Sequence, residues 1–487
     1  VGAYDTDLPA DRPRICSGEL AAAGWRTICV DAIGAAPEQM LPTHDERFLS
    51  HGLSGDEIAE RINPDTSIIG ISCMFSHEWP LTRGIIALVR NRFPEAVIVA
   101  GGEHVTALPE FCLEDCPEVD LCVIGEGERT FVDVVEALSS DKSLASIPGV
   151  VGREKSGIVG GGQRARIRAL DEIAEPRWEL FPLTAYLEKG YGFGVNRGRS
   201  MPVIATRGCP YQCTFCSNPT MWTTRWVARG VDEVFAEMRR FKETYAIDNF
   251  DFYDLTAIVK KKWIVEFCRK VIDSGLDFTW QLPSGTRSEA IDDEVAELLF
   301  ASGCRNLSYA PESGSPAVLE RIKKKIHLGE MLTSMRASIR HGLNVKANII
   351  LGFPGETHKE AWESLWFCVR MAVAGVHDMS ISPFSPYPGS ELFNDLQRDG
   401  RIPELTDDYF ISLAVYTDLF STVSYSEHIG NRSLGFYRLF GMALFYGVSY
   451  LVRPWRLVRT IRNVFSEQQE SRLEMSLRDL VFRLRAG

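Results

Sequence analysis

The sequence predicts an α/β protein in three parts: an N-terminal Rossmann-like sheet domain, a central partial (β/α)6 barrel and a C-terminal all-helical segment. Three observations predict it. Residues 25–140 alternate short β-branched apolar runs with amphipathic helical patterns, as in a parallel sheet with helices on both faces. From residue 201 six further strand–helix alternations follow within about 190 residues, enough for a partial or complete α/β barrel. Past residue 400 the spacing is helical only. A chain of 487 residues exceeds one ordinary core, so boundaries are expected, here at 1–145, 146–198, 199–400 and 401–487.

In the first domain, "RTICVDAI" and "TSIIGISCMF" read as strands, followed by the helix pattern "EWPLTRGIIALVRNRF". "AVIVAGGEH" and "VDLCVIGEGE" are two more strands, each ending in glycines, before the helix "RTFVDVVEAL". Ligands of such sheets bind beyond the C-terminal strand ends, which places "SCMFS", "AGGEH" and "GEGE" at the candidate site. No strand precedes the first helix pattern, "PRICSGELAAAGW", and the chain opens on Val1; a truncated start lacking the first strand is the expectation. Residues 146–198 read as a Gly-rich connector, with "VVGREKSGIVGGGQRARI" as a β-hairpin.

Barrel strands are expected at "MPVIAT", "NFDFYD", "DFTWQL", "RNLSYA", "VKANIIL" and "MSISPF", with helices such as "VDEVFAEMRRFKETY" and "KEAWESLWFCVRMAVAG" between them. The active site of such a barrel lies at the C-terminal strand ends.

Composition is that of a folded protein, 45% hydrophobic and 24% charged, with a net charge of −12. That acidic balance argues against a nucleic-acid partner. Residues 431–487 reverse it, with ten arginines against four acids. There, the apolar run 440–452 is too short to span a bilayer, and Arg453, Arg456, Arg459 and Arg462 follow at helical spacing. Two readings stand: a helix lying in a membrane interface, or a helix packed on the barrel with a solvated basic face. No signal peptide is visible, so a cytoplasmic location is expected, with peripheral attachment to the inner membrane surface under the first reading. The twelve cysteines form no disulfide framework, and most sit in apolar runs as small hydrophobes.

Three do not. "RGCPYQCTFC", residues 207–216, places Cys209, Cys213 and Cys216 within eight residues at the top of the first barrel strand. A disulfide needs two cysteines and a structural zinc site four ligands. Three thiolates suit a [4Fe–4S] cluster with one open iron, whereas a chance grouping, or a zinc knuckle closed by a distant ligand, is the plain alternative.

This Cys-x3-Cys-x2-Cys loop, with Phe215 before the last cysteine, resembles the signature of the radical S-adenosylmethionine (radical SAM) superfamily. The resemblance implies that the open iron chelates SAM and that one electron, from a donor such as flavodoxin or ferredoxin, cleaves it to a 5′-deoxyadenosyl radical. "YAPESGS" is similar to the segment after the family's fourth strand, which carries over Glu312 and Ser313 as SAM contacts. "NIILGFPGET" is similar to its fifth-strand turn, with Gly352 and Gly355 along the adenine. Asp254, at the end of strand two, is a candidate contact to SAM or substrate, and Arg287, at the end of strand three, a candidate contact to the SAM carboxylate.

The N-terminal domain resembles the cobalamin-binding domain of B12-dependent radical SAM enzymes through "AGGEHVTALPE" and "VDLCVIGEGERTF". That implies cobalamin held by Ser72, Phe75, Gly101, Gly102, Gly125, Glu126 and Gly127. The Asp-x-His-x2-Gly motif is absent from the chain, so no axial histidine is implied, and His77 and His104 read as loop-orienting residues. "CSNPTMWTTRWVAR" resembles the subgroup that holds the anaerobic magnesium-protoporphyrin ester cyclase and cobalamin-dependent methyltransferases. Methylation of an unactivated carbon in a hydrophobic, lipid-like or tetrapyrrole substrate is the expectation, with Tyr211, Trp222 and Trp226 as aromatics near the cluster. The alternatives are radical cyclisation, rearrangement or oxidation without methyl transfer, and a non-catalytic cobalamin or redox sensor.

Overall fold

The computed structural model describes residues 11–43, 48–140, 142–144, 146–154, 157–286, 288–402, 404–414, 422–466 and 469–486. They form two compact units. The first comprises Val1–Tyr186, Thr214–Val227 and Pro386–Thr417; the second comprises Leu187–Cys213, Ala228–Ser385 and Asp418–Gly487.

The first unit is built on a sheet of β1 (Ile68–Ser72), β2 (Val97–Gly101), β3 (Leu121–Val123), β4 (Val150–Glu154) and β5 (Gly157–Gly160), in that spatial order. The first three strands are parallel. Around them lie α1 (Asp11–Ala22), α2 (Trp79–Arg92) and α3 (Gly127–Ser139). Helix α3 turns Val134 into a core shared with Val99, Leu121, Val123 and Val150, the burial that an i, i+3, i+4 apolar stripe exists to make.

One expectation is met and one corrected here. The hairpin forms, and it adds β4 and β5 antiparallel to the sheet edge, with Val150 packed in the same core as Leu121 and Val123 of β3. The segment "RTICVDAI" carries no strand; residues 26–31 run without a ladder, and a short helix, Ala32–Ala35, follows. β1 pairs only with β2 among the described residues, so its outer edge is open, and residues 26–31 have no strand beside them to pair with.

The second unit is the partial barrel. Strands β6 (Ser200–Val203), β7 (Asn249–Phe252), β8 (Thr279–Thr286), β9 (Cys304–Glu312), β10 (Asn344–Leu351) and β11 (Asp378–Pro383) are parallel and lie in sequence order. Between them run α4 (Val231–Tyr245), α5 (Lys261–Ser274), α6 (Asp293–Ala301), α7 (Leu328–Arg340) and α8 (His358–Ala374). The last of these starts on a capping box, Thr357 with Glu360, and stops at Gly375, whose φ of +104° suits glycine. The segment after the barrel is helical: α9 (Asn431–Val452), α10 (Trp455–Val464) and α11 (Arg472–Ala486). Among the described residues, no helix is long and apolar enough to cross a membrane.

The N-terminal ends of the strands are sealed. Asp251 accepts from Asn249 Nδ2 at 2.8 Å and Gln281 Nε2 at 2.7 Å, and Gly194 N–H donates to it at 3.2 Å. Val195 exchanges hydrogen bonds with Gln281 at 3.0 and 2.8 Å. Residue 194 must be glycine for this approach, since a Cβ there would stand 2.1 Å from Gln281 Nε2. Arg197 reaches Asn306 at 2.8 Å and Arg472 N–H reaches Asp378 at 2.9 Å, leaving a void of about 30 Å³, room for one water at most.

Candidate active site

Two sets of residues gather at C-terminal strand ends. On the loop that continues β6 lie Cys209 and Cys213, in the second unit, and Cys216, in the stretch assigned to the first; all three are half-buried and free of disulfides. The contrast with the other cysteines is chemical. Cys116, Cys122, Cys268 and Cys368 have thiols pushed up to about 12 by burial, so they stay protonated and inert. The three loop cysteines are instead half-buried. Among the described residues, no three His, Cys, Asp or Glu side chains converge as they would on a single metal ion; a cubane instead takes one cysteine per iron, with the sulfurs spread apart.

Asp254 holds the base of that loop. It is 3% exposed, and its carboxylate accepts the backbone N–H groups of Ala205, at 3.2 Å, and Thr206. Burial pushes its carboxyl up to about 6, against the pull of those donors. The sequence reading made it a candidate contact to SAM or substrate; in the structure its carboxylate holds the turn that leads into the cysteines.

At the end of β9, Glu312 adopts φ +64°, a left-handed conformation that costs a non-glycine residue about 1–3 kcal/mol and tends to mark functional sites. Lys324 Nζ pairs with its Oε1 at 2.9 Å, both side chains being largely buried. Ser313 is fully buried and bonds Ser364 Oγ at 3.0 Å, which braces the turn. After β10, Gly352 and Gly355 take φ +87° and +73°. Glu356 lies beneath, accepting from Gly352 N–H and, at 3.1 Å, from Phe353 N–H, with burial lifting its carboxyl to about 7. Arg287 lies outside the described residues. Phe215, Tyr211 and Trp226 are half-buried.

In the first unit a cavity of about 2080 Å³ opens along the strand ends and the free edge of β1. Ser72, Gly101, Gly102, Gly125, Glu126 and Gly127 all line it, so the structure brings together six of the seven residues anticipated there. Phe75 stands beside it, 42% exposed, with its ring stacked at 5.6 Å on His77, which lines the cavity. The volume exceeds what drug-sized ligands need, about 300–1,000 Å³, and fits a macrocycle with a nucleotide tail. Gly102 has φ +115°, and a Cβ there would stand 2.2 Å from the Cys73 carbonyl oxygen, so the chain must be bare at this crossing. Gly125, at φ +75°, meets nothing within 4 Å and leaves the rim open. His104 is buried and neutral, its pKa lowered to about 3 by burial, with Nδ1 3.0 Å from Ser76 Oγ.

The composition of the rim conceals one partner that sequence reasoning missed. The Glu126 carboxylate accepts from Arg166 Nε at 2.9 Å and Ile167 N–H at 2.8 Å. Arg166 also donates to the Trp222 carbonyl and lies 5.0 Å above the Trp222 ring. It therefore ties the glycine rim to the short helix Asn218–Trp222, six residues beyond Cys216. Its position in a Gly-rich stretch gave no signal.

Comparison with known proteins agrees with this geometry. Residues 203–368 match the Radical SAM superfamily and residues 20–135 the B12 binding domain. The chain is 31% identical over 357 residues to an uncharacterized methyltransferase of Pyrococcus horikoshii, covering 72% of this chain and 74% of that protein. It is 30% identical over 434 residues to the cytidylyl-2-hydroxyethylphosphonate methyltransferase of Streptomyces wedmorensis, covering 81% and 80%. Among solved structures, the cobalamin-dependent S-adenosylmethionine radical enzyme OxsB, with aqua-cobalamin and S-adenosylmethionine bound, superposes with a TM-score of 0.68 at 14% identity, covering 99% of this chain and 74% of that one; at that identity the likeness is one of fold.

Proposed function

Because this chain belongs to the radical SAM superfamily and carries a B12 binding domain, we propose that it methylates an unactivated carbon of a hydrophobic, lipid-like or tetrapyrrole substrate. It is an enzyme that works with a [4Fe–4S] cluster, S-adenosylmethionine and cobalamin. The observation that carries the reading is the pair of sites: three half-buried cysteines on the β6 loop, and a glycine-rimmed cavity at the ends of β1, β2 and β3.

When bound, these cofactors supply a 5′-deoxyadenosyl radical and a transferable methyl group. The protein's own part is binding and orientation. Cys209, Cys213 and Cys216 would each ligate one iron and leave the fourth for the amino and carboxylate groups of SAM. Asp254 fixes Ala205 and Thr206, and so the height of that loop. Glu312, held by Lys324, and the Gly352–Gly355 turn, held by Glu356, would flank the rest of SAM. Ser72, Gly101, Gly102, Gly125 and Gly127 would let cobalamin approach the backbone, with Glu126 and Arg166 stiffening the rim. An electron donor such as flavodoxin or ferredoxin completes the system, and the basic, apolar C-terminal helices would make peripheral contact with a membrane that presents the substrate.

A second reading of the substrate is favoured by one observation. The relative from Streptomyces wedmorensis is named for a cytidylyl phosphonate, so a nucleotide-linked phosphonate is the polar counterpart to test. Anaerobic reconstitution with cobalamin, SAM and reductant, with a membrane-lipid extract or a cytidylyl phosphonate as substrate, decides by mass spectrometry. S-adenosylhomocysteine together with 5′-deoxyadenosine and a product heavier by one methylene supports methyl transfer. 5′-Deoxyadenosine alone points to cyclisation, rearrangement or oxidation, and intact SAM to a sensor.

A further inference from the structure

Helix α10 turns one arginine inward and leaves two outside: Arg456 donates to the carbonyls of Val376, at 2.9 Å, and Gly375, at 2.7 Å, while Arg459 and Arg462 stay exposed. Arg453, just before it, donates to Ala372 and Val373, both at 3.1 Å. These four carbonyls close the end of α8, where orphan acceptors and the negative end of the helix dipole favour cations. Neither expectation from the sequence anticipated this: two of the four arginines in the stripe serve as a cap.

The apolar side is left outward. Leu451 is 83% exposed, Trp455 63%, Val458 69%, Ile461 53% and Phe465 63%. Further apolar side chains are exposed on α8 and α9, Trp366, Val373, Phe436 and Phe440, the two phenylalanine rings stacked at 5.2 Å. Large apolar side chains gathered on one exposed helix face mark an interaction surface. Among the described residues no helix is long and apolar enough to cross a membrane, so the face can lie on one but not cross it.

We propose that the face formed by Leu451, Trp455, Val458, Ile461 and Phe465 docks in the plane of an anionic lipid surface. Charge selects this occupant. Residues 431–487 carry ten arginines against four acids, +6 in a chain of −12. An anionic headgroup layer attracts that segment and repels the rest, which orients the molecule. A second copy docked by the same face would bring two +6 segments together. Aromatic and branched side chains beside arginines are the composition that settles at the headgroup boundary. The proposal gives a named face to the membrane contact in the reading above and rests on that part of it.

The test uses the full-length reconstituted protein and sedimentation with vesicles of phosphatidylcholine, with or without phosphatidylglycerol. Expected is sedimentation with the anionic vesicles, a loss of at least tenfold in the Val458→Glu/Ile461→Glu variant, and unchanged 5′-deoxyadenosine formation without vesicles. No sedimentation, equal sedimentation with pure phosphatidylcholine, or a dimer by light scattering that the double variant dissolves overturns the proposal. Vesicle binding without any methylated product would sink the methyl-transfer reading and leave this face standing.

Discussion

Arg166 and Glu126 meet at 2.9 Å with their side chains 8% and 3% exposed, a buried ion pair at the rim of the cobalamin-sized cavity. Removing one partner of such a pair leaves the other charged and unpaired, which typically costs about 3–5 kcal/mol. Arg166→Ala is therefore expected to lower the chemical unfolding midpoint steeply. Arg166→Met combined with Glu126→Gln should recover at least half of that loss. If the double variant is no better than the single one, the pair is not what holds the rim.

Cys213→Ala should abolish iron binding and SAM cleavage together, because two cysteines cannot hold the cluster against solvent and thiols. Cys268→Ala removes a buried, protonated thiol in α5 and should keep full iron content. Iron analysis and visible absorption of the reconstituted proteins read both. Retention of a complete cluster by the Cys213 variant would remove this loop from the chemistry.

Gly102 and Gly125 separate two uses of glycine. Gly102→Ala forces a Cβ against the Cys73 carbonyl at positive φ and should destabilise the protein by more than about 2 kcal/mol. Gly125→Ala meets open space and should cost only about 1 kcal/mol of backbone strain. If cobalamin lies against this rim, the Gly125 variant loses affinity for it, by roughly tenfold in equilibrium dialysis, while its unfolding midpoint barely moves.

Glu356 sets a pH dependence. Its carboxyl is raised to about 7 in the fold, above the unfolded value near 4.3. The folded state then keeps a proton that the unfolded chain has lost, so stability declines as pH rises from about 4 to about 7 and is level beyond. The slope amounts to up to about 3 kcal/mol across that window. Glu356→Gln should flatten it, as urea unfolding midpoints at several pH values would reveal; an unchanged profile would assign the slope to other groups, Asp254 among them.

Much of this was legible from residue order. All six barrel strands stand where β-branched runs alternate with amphipathic helices, and the cysteine spacing marks the cluster loop without help from tertiary structure. What escaped depends on the third dimension. "RTICVDAI" has the composition of a strand, yet a strand needs a neighbour, and β1 offers its edge to a cavity. Asp254 was placed at its strand end, but its backbone donors, Ala205 and Thr206, lie 49 and 48 residues away in the chain and only the fold brings them to it. Arg166 lies 40 residues from Glu126, in a stretch whose composition reads as linker. The arginines after residue 452 show that helical spacing reveals two faces but not which one meets the protein.

The sealed floor of the barrel has a consequence for how the chain is held together. Asn249, Asp251, Gln281 and the backbone of Gly194 and Val195 share one hydrogen-bond network across the lower ends of β7 and β8. The stretch that leads into β6 is thereby fastened to side chains that follow it by 57 and 86 residues. Removing the Gln281 amide would leave buried partners unpaired on both sides at once, and the entry to the first barrel strand would loosen with it.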